Sequence, residues 1–490
     1  MDRPAARSRP ARHRAAPAHD TGIPAMPHPP LPHADDYAPL LERARAIALA
    51  YLTSLRERPA AIAAPARAPS LPEGIGIDAA LAQFLETIEP HLSASPGPRY
   101  FGFVTGGANP AGLAGDWLAS AYDQNVSNEV GSIAADVEQQ TVAAFARMFG
   151  LAPDMRGYFV SGATQSNTVA MATARQWAYQ KLGRDVAEDG LAGAPPIAVL
   201  GGAPHSSLGK ALSVLGIGRG SIEKVPCLPG RTAVDPDAMA RRLAQRDGRP
   251  KIVLASAGEV NTGDFDDIAA LADLCRAHDA WLHVDGAFGL FAALDPARQH
   301  LLAGIDRADS VTADLHKWLN VPYDSALIYT RHPALQRQVF RAASAYLGDS
   351  PDPLHHVPEN SRRFRALPAW LTLAAYGRAG IADWVVRNCA IAGRIGEGLK
   401  AMPGVELLDE VRLNIVCFAL RDGDIARRDE FLDRITADGR AFMSPTVLFD
   451  RPGVRIAVSN WMTDAHDAGI ALAAVRDALA AVRDALAAMA

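Results

Sequence analysis

The sequence predicts an α/β protein, with a large domain on a mainly parallel sheet and a smaller α+β domain towards the C-terminal end. Two observations carry this. Between about residues 150 and 331, short apolar runs at 158–161, 197–200, 251–255, 281–284, 310–312 and 326–329 alternate with helix-patterned segments. These runs are apolar throughout rather than at every second residue, as strands covered by helices on both faces are. From about residue 376 the pattern changes to helix, strand (414–420), helix, and strands around 442–443 and 454–458.

The remaining segments follow in order. Residues 1–35 are rich in Pro, Ala, Arg and His, with almost no large apolar side chains to offset the entropy of ordering, and read as a disordered tail. They lack the Ser content and amphipathic periodicity of a transit peptide. Residues 36–95 form a helical segment: Leu40, Leu41, Ala44, Ala48, Tyr51, Leu52 and Leu55 make one apolar stripe that ends before Pro59. A second helix is expected over 77–89, ahead of Pro96-Gly97-Pro98. The large domain then spans 96–375 and the small domain 376–490. The heptad VRDALAA, repeated at 475–481 and 482–488, reads as one amphipathic helix, because two heptads are too few for a coiled coil.

Composition excludes several functions. The net charge is −5 and no Lys/Arg block stands out beyond the first residues, so nothing supplies the surface that nucleic-acid binding requires. Cys227, Cys275, Cys389 and Cys417 are scattered without a CxxC pair, which argues against a disulfide framework or zinc site and for a reducing, cytoplasmic setting. No apolar run approaches the roughly 20 residues of a membrane span.

The chemistry concentrates where strands end. The run at 281–284 stops on Asp285, and Lys317 follows 32 residues later in Asp314-Leu-His-Lys-Trp318. An acid at the carboxyl end of a parallel strand sits where α/β sheets bind ligands. Such an acid can hold a pyridinium nitrogen protonated, and a lysine able to act as an amine can form a Schiff base, the pairing used with pyridoxal 5'-phosphate (PLP). Ser161-Gly-Ala-Thr-Gln-Ser-Asn167 follows a strand and precedes a helical run from Thr168 to Leu182. There Gly162, Ala163 and Thr164 can offer close backbone approach and N–H or hydroxyl donors to a phosphate. Ala203-Pro-His-Ser-Ser-Leu208 supplies His205, whose flat ring can stack on a pyridine.

In this order the motifs resemble the group II PLP-dependent amino-acid decarboxylases, the family of aromatic-amino-acid, glutamate and histidine-type decarboxylases, over about residues 95–465. The strongest elements are His283-Val-Asp-Gly-Ala287, Ala308 to Leu319, Gly162-Ala-Thr164, Pro204-His-Ser-Ser207 and Ser361-Arg-Arg-Phe-Arg-Ala-Leu367. The resemblance implies the fold type I, aspartate-aminotransferase-like PLP fold and a homodimer in which the helix at 37–57 finds its packing partner. It places the stacking histidine on His205, the pyridinium carboxylate on Asp285, a small ring-packing residue on Ala287, and the Schiff-base lysine on Lys317 beside His316. Phe103 and Thr105, in Arg99 to Thr105, are the substrate contacts it implies, and Tyr346 the proton donor once CO2 has left. An amino acid is the implied substrate; its identity stays open, with Tyr100 and Phe103 hinting at an apolar or aromatic side chain.

Two positions depart from the family pattern. Asp314 replaces a common phosphate-binding Asn, and its charge would oppose a phosphate unless the acid is protonated or turned away. Gly258-Glu-Val-Asn-Thr-Gly263 replaces a Gly-Thr-Thr run, with Glu259, Asn261 and Thr262 all open as the cofactor contact. Competing readings are another PLP lyase of the sphingosine-phosphate type or an amine-oxidising aldehyde synthase, both separable by product. An aminotransferase would need an arginine for a second carboxylate, for which Arg455 stays open, and a non-catalytic protein would not absorb in the visible range.

Overall fold

The computed structural model of the chain describes residues 33–63, 67–128, 131–245, 247–342, 352–421 and 423–489. It divides into two compact units, residues 33–50 with 67–91 and residues 51–63 with 92–489. In the first unit Arg43 pairs with Asp78. Helix Ile77–Thr87 buries none of its residues, and Ile77 and Leu85 are exposed, as are Leu41 and Leu49 of helix Tyr37–Thr53.

The second unit holds two sheets. The large one uses β1 (Arg156–Val160), β2 (Ala198–Gly201), β3 (Ile222–Lys224), β4 (Lys251–Ser256), β5 (Trp281–Asp285), β6 (Ser310–Asp314) and β7 (Ala326–Thr330) in the order β1-β7-β6-β5-β4-β2-β3. All neighbours are parallel except β7, which runs antiparallel to both β1 and β6. The apolar runs have a direct cause. Along β4 and β5, Val253, Leu282 and Val284 pack into a core on one face, while Ile252, Leu254 and Trp281 pack into a second core on the other. Successive side chains of a strand point to opposite faces, so burial on both sides demands an apolar residue at nearly every position. Helices Ala163–Gln180 and Ser206–Val214 cover one face, and helices Ala134–Met148 and Ile268–Ala277 the other.

The smaller sheet is antiparallel, with β8 (Val405–Leu407), β9 (Ile415–Leu420), β10 (Ser444–Leu448) and β11 (Arg451–Ala457) in the order β10-β11-β9-β8. Helix Ala366–Lys400 joins the two parts: Ile381, Trp384 and Val385 belong to a large-sheet core, and Ile391, Ile395 and Leu399 to the small-sheet core. It changes direction at Gly377, whose φ of 60° suits glycine. Differences from the sequence reading are local. The helix expected from Thr168 starts at Ala163, and the strand expected around 442–443 starts at Ser444, with Phe442 forming a bridge to Tyr100 instead. The terminal helix runs Ala465–Met489.

Two buried polar features carry stability. Arg362 and Glu138 are both fully buried, with Nη2 donating to Glu138 Oε1 (2.8 Å) and to Phe159 O (2.7 Å), and Nη1 to Val126 O (2.8 Å). One side chain thereby ties β1 to the loop at Val126. Burial also pushes the pKa of His283 down to about 4, and that of His356, stacked on Tyr158, to about 4 with nearby Arg337 and His355 adding to the shift.

Removing one partner of a buried ion pair leaves an uncompensated charge, so Arg362→Met is expected to cost about 3–5 kcal/mol, measurable by urea denaturation. The two imidazoles set an acid limit. The unfolded chain takes up these protons below pH 6.5 and the native state only below about 4, so stability falls as pH drops between those values. Each contributes on the order of 3 kcal/mol across that window. Denaturation midpoints measured from pH 7 to 4 should show the loss, and His283→Gln should remove about half of it, leaving the share of His356.

Candidate active site

Three neighbouring strand ends frame the site. β4, β5 and β6 end at Ser256, Asp285 and Asp314, with Asp285 paired across to Ser256 on one side and Thr312 on the other. The short helix Leu315–Trp318 follows β6 at once and brings Lys317 to the cavity that Asp285 lines. His205, Ala287, Ala163 and Glu259 line it too, around an empty volume of about 390 Å³. Residues far apart in the chain thus converge at the carboxyl ends of parallel strands, where such sheets bind ligands.

Asp285 is anchored by a directed chain of hydrogen bonds. Its Oδ1 accepts from Ala287 N (3.2 Å) and its Oδ2 from Asn167 Nδ2 (2.9 Å). Asn167 Oδ1 accepts from Thr312 Oγ1 (2.7 Å) and lies 3.0 Å from His283 Nε2. Ser310 Oγ accepts from the Trp281 indole (3.0 Å) and lies 2.9 Å from His283 Nδ1. The Asp285 carboxylate only accepts, which turns Asn167 Nδ2 towards it and the amide oxygen towards His283; the neutral ring therefore gives Nε2–H to Asn167 Oδ1, and its bare Nδ1 accepts from Ser310 Oγ. Asn167 also donates to Ser207 Oγ (3.0 Å), which lies 2.8 Å from His205 Nδ1. Asn167 and Ser207 had no role in the sequence reading. Asn167 sits four residues after Ala163 on one helix, and that spacing, which puts both on the same face, was the available signal. His205 starts helix Ser206–Val214 as its N-cap. Burial lowers its pKa, with Asp285 opposing and Lys317 and Arg455 reinforcing the shift.

The other end of the cavity is the N-terminus of helix Ala163–Gln180. Ala163 N donates to Asp314 Oδ2 (3.2 Å), and Thr164 is exposed. The backbone of Gly162 is extended and asks for no glycine, but a Cβ there would reach 3.4 Å from the His316 ring, closing the space between them. His316 has its pKa lowered by burial and packs on Tyr323, with ring centroids 4.3 Å apart.

A wider cleft, with an empty volume of about 1550 Å³, adjoins this cavity and brings Phe103 and Thr105 alongside Lys317 and His316. Phe103 has φ 58°, a strained conformation for a bulky residue, and its N–H donates to Ser444 Oγ (2.8 Å). Thr105 is buried and shares the cleft with Tyr323, a residue the sequence reading missed because it falls in a turn without a motif. Of the three open residues, Glu259 and Asn261 line the cleft. Thr262 is buried, its hydroxyl 2.8 Å from that of Thr232 and 3.1 Å from Glu259 Oε2. Arg455 also lines the cleft and donates to Val260 O (3.1 Å). Tyr346 lies outside the described residues.

Residues 62–421 match the family model described as the pyridoxal-dependent decarboxylase conserved domain. An aromatic-L-amino-acid decarboxylase of Bacillus atrophaeus is 29% identical over 388 residues, covering 76% of this chain and 78% of the relative. Tryptophan decarboxylase 2 of Oryza sativa subsp. japonica is 24% identical over 437 residues, or 84% of this chain and 86% of the relative. The crystal structure of Oryza sativa TDC with PLP and tryptamine has the same fold, with a TM-score of 0.84 and 23% identity, covering 91% of this chain and 98% of that one. The cavity fits the cofactor. Each oxygen of Asp285 takes one hydrogen bond and keeps acceptor capacity for a ring N–H, and the small side chain of Ala287 leaves room beside it. The chain belongs to the pyridoxal-phosphate-dependent amino-acid decarboxylase family.

Proposed function

We propose that the chain removes the α-carboxylate of an L-amino acid as CO2 and releases the amine, with Lys317 as the residue that carries the cofactor. The observation behind this is the convergence of Lys317, Asp285 and His205 on one cavity beside Ala163, at a helix N-terminus. Bound there, pyridoxal phosphate supplies an electron sink for the pair left when a bond to Cα breaks. Asp285 takes the ring nitrogen, and Asn167 and Ala287 N–H fix its carboxylate. His205, kept neutral at pH 7 by its lowered pKa, offers a flat uncharged face to one side of the ring, and Ala287 packs on the other. Gly162, Ala163, Thr164 and His316 form the phosphate end.

Phe103 and Thr105 hold the substrate, and the aromatic wall they share with Tyr100 and Tyr323 supports an apolar or aromatic side chain. Tyr346 delivers the proton that replaces CO2 at Cα. The exposed Leu41, Leu49, Ile77 and Leu85 support a homodimer, and the four free cysteines support a cytoplasmic setting.

Purified chain supplied with PLP and a panel of L-amino acids should release CO2 and amine in equal amounts. Aldehyde with peroxide in their place would overturn the decarboxylase reading. Lys317→Ala should lose the visible absorbance of a lysine-linked cofactor and at least a hundredfold in CO2 release. Asn167→Ala leaves Asp285 unaimed and should lower kcat roughly 10- to 100-fold while shifting the cofactor absorbance. A fall in kcat with an unchanged spectrum would assign Asn167 a purely structural role.

A further inference from the structure

Asp314 occupies an unusual position for an acid. It is 2% exposed, and its Oδ2 accepts the N–H of Ala163 at the helix N-terminus (3.2 Å) and stands 3.5 Å from Lys317 Nζ. Its Oδ1 is buried without a hydrogen-bond partner. His316 Nδ1 is only 3.1 Å from it, but that nitrogen already accepts the N–H of Ser325 (3.3 Å). The carboxylate therefore lies among the helix-end donor, the imidazole and the ammonium, where the phosphate of the cofactor is assigned above. Two anions in one donor set repel in a medium that screens them poorly.

We infer that Asp314 opposes the cofactor phosphate, so that this chain holds PLP chiefly through its ring contacts and the lysine linkage and only weakly through the phosphate. The inference rests on the phosphate end proposed above. Its consequence is a cofactor that exchanges readily, and a site less selective than usual for the phosphorylated form over pyridoxal itself.

The test compares two probes, PLP and pyridoxal, titrated by absorbance into full-length chain freed of cofactor. Asp314→Asn removes the charge and keeps the shape, and Asp314→Ser does the same with a smaller side chain should the amide not be accommodated. The expected result is a gain in PLP affinity at least tenfold larger than any gain in pyridoxal affinity. A neutral variant that still prefers PLP but gains no more for it than for pyridoxal would overturn the inference and leave the phosphate end standing. Chains that never distinguish the two probes, wild type and variants alike, would overturn both. The unmodified chain gives an independent check: a preference for PLP over pyridoxal already above roughly a thousandfold, what a few unopposed charge-assisted hydrogen bonds supply, would overturn the inference without any variant.

Discussion

The side-chain amide of Asn167 is the contact on which the site depends. Its two N–H donors reach Asp285 and Ser207, and its oxygen meets His283 and Thr312, so its hydrogen-bonding capacity is used without remainder. Those four partners lie on β5, β6 and the helix that begins beside His205. A buried polar network of this kind stabilises one arrangement only when every member is satisfied. Here the acceptor-only carboxylate of Asp285 fixes the direction of the chain, and the order of donors leads from β5 through His283 and Asn167 to Asp285. Asp285 is held by the fold through Asn167 as well as by its own loop through Ala287 N–H.

Much of this was legible in the sequence, and the exceptions have physical causes. The large-sheet strands announced themselves because both faces are packed, while β3, three residues long and not fully buried at any of them, carries no such signature. The reversal of β7 could not be read from its apolar run, since buried parallel and antiparallel strands look alike; it comes from the connection between Asp314 and Ala326, which folds back through the helix carrying Lys317. The helix after β1 starts five residues earlier than its apolar pattern because its first turn is small and polar, and that turn faces the cavity.

For the site, the residues proposed to do chemistry were visible as types at spacings, and those that hold them were not. Lys317, Asp285 and His205 stand in motifs and meet in one cavity. Asn167 and Tyr323 meet partners over a hundred residues away in the chain, Asp285 by a hydrogen bond and Thr105 in the shared cleft, and no local pattern encodes such a meeting. The places of Glu259, Asn261 and Thr262 likewise follow from a turn: the Glu259 carboxylate accepts the N–H groups of Asn261 (2.9 Å) and Thr262 (3.0 Å), which leaves Thr262 inside and Glu259 and Asn261 at the wall.

The two acids that end β5 and β6 are close to equal in burial, at 7% and 2% exposure, yet they are not equivalent. Every oxygen of Asp285 has a neutral donor, and the lattice of bonds behind it reaches the core. Asp314 has one backbone donor, one orphaned oxygen and a lysine at 3.5 Å. Burying a carboxylate costs free energy unless its oxygens are hydrogen-bonded or paired with a cation, so the first acid is satisfied by its neutral donors and the second, with one oxygen orphaned, depends on the charge of Lys317. Adjacent strand ends of one sheet thus present one acid built to stay and one whose environment changes once the lysine amine is engaged. The same backbone position on neighbouring strands carries the acid proposed to hold the cofactor ring, Asp285, and the acid proposed to resist its phosphate, Asp314, because the donors available at each strand end differ.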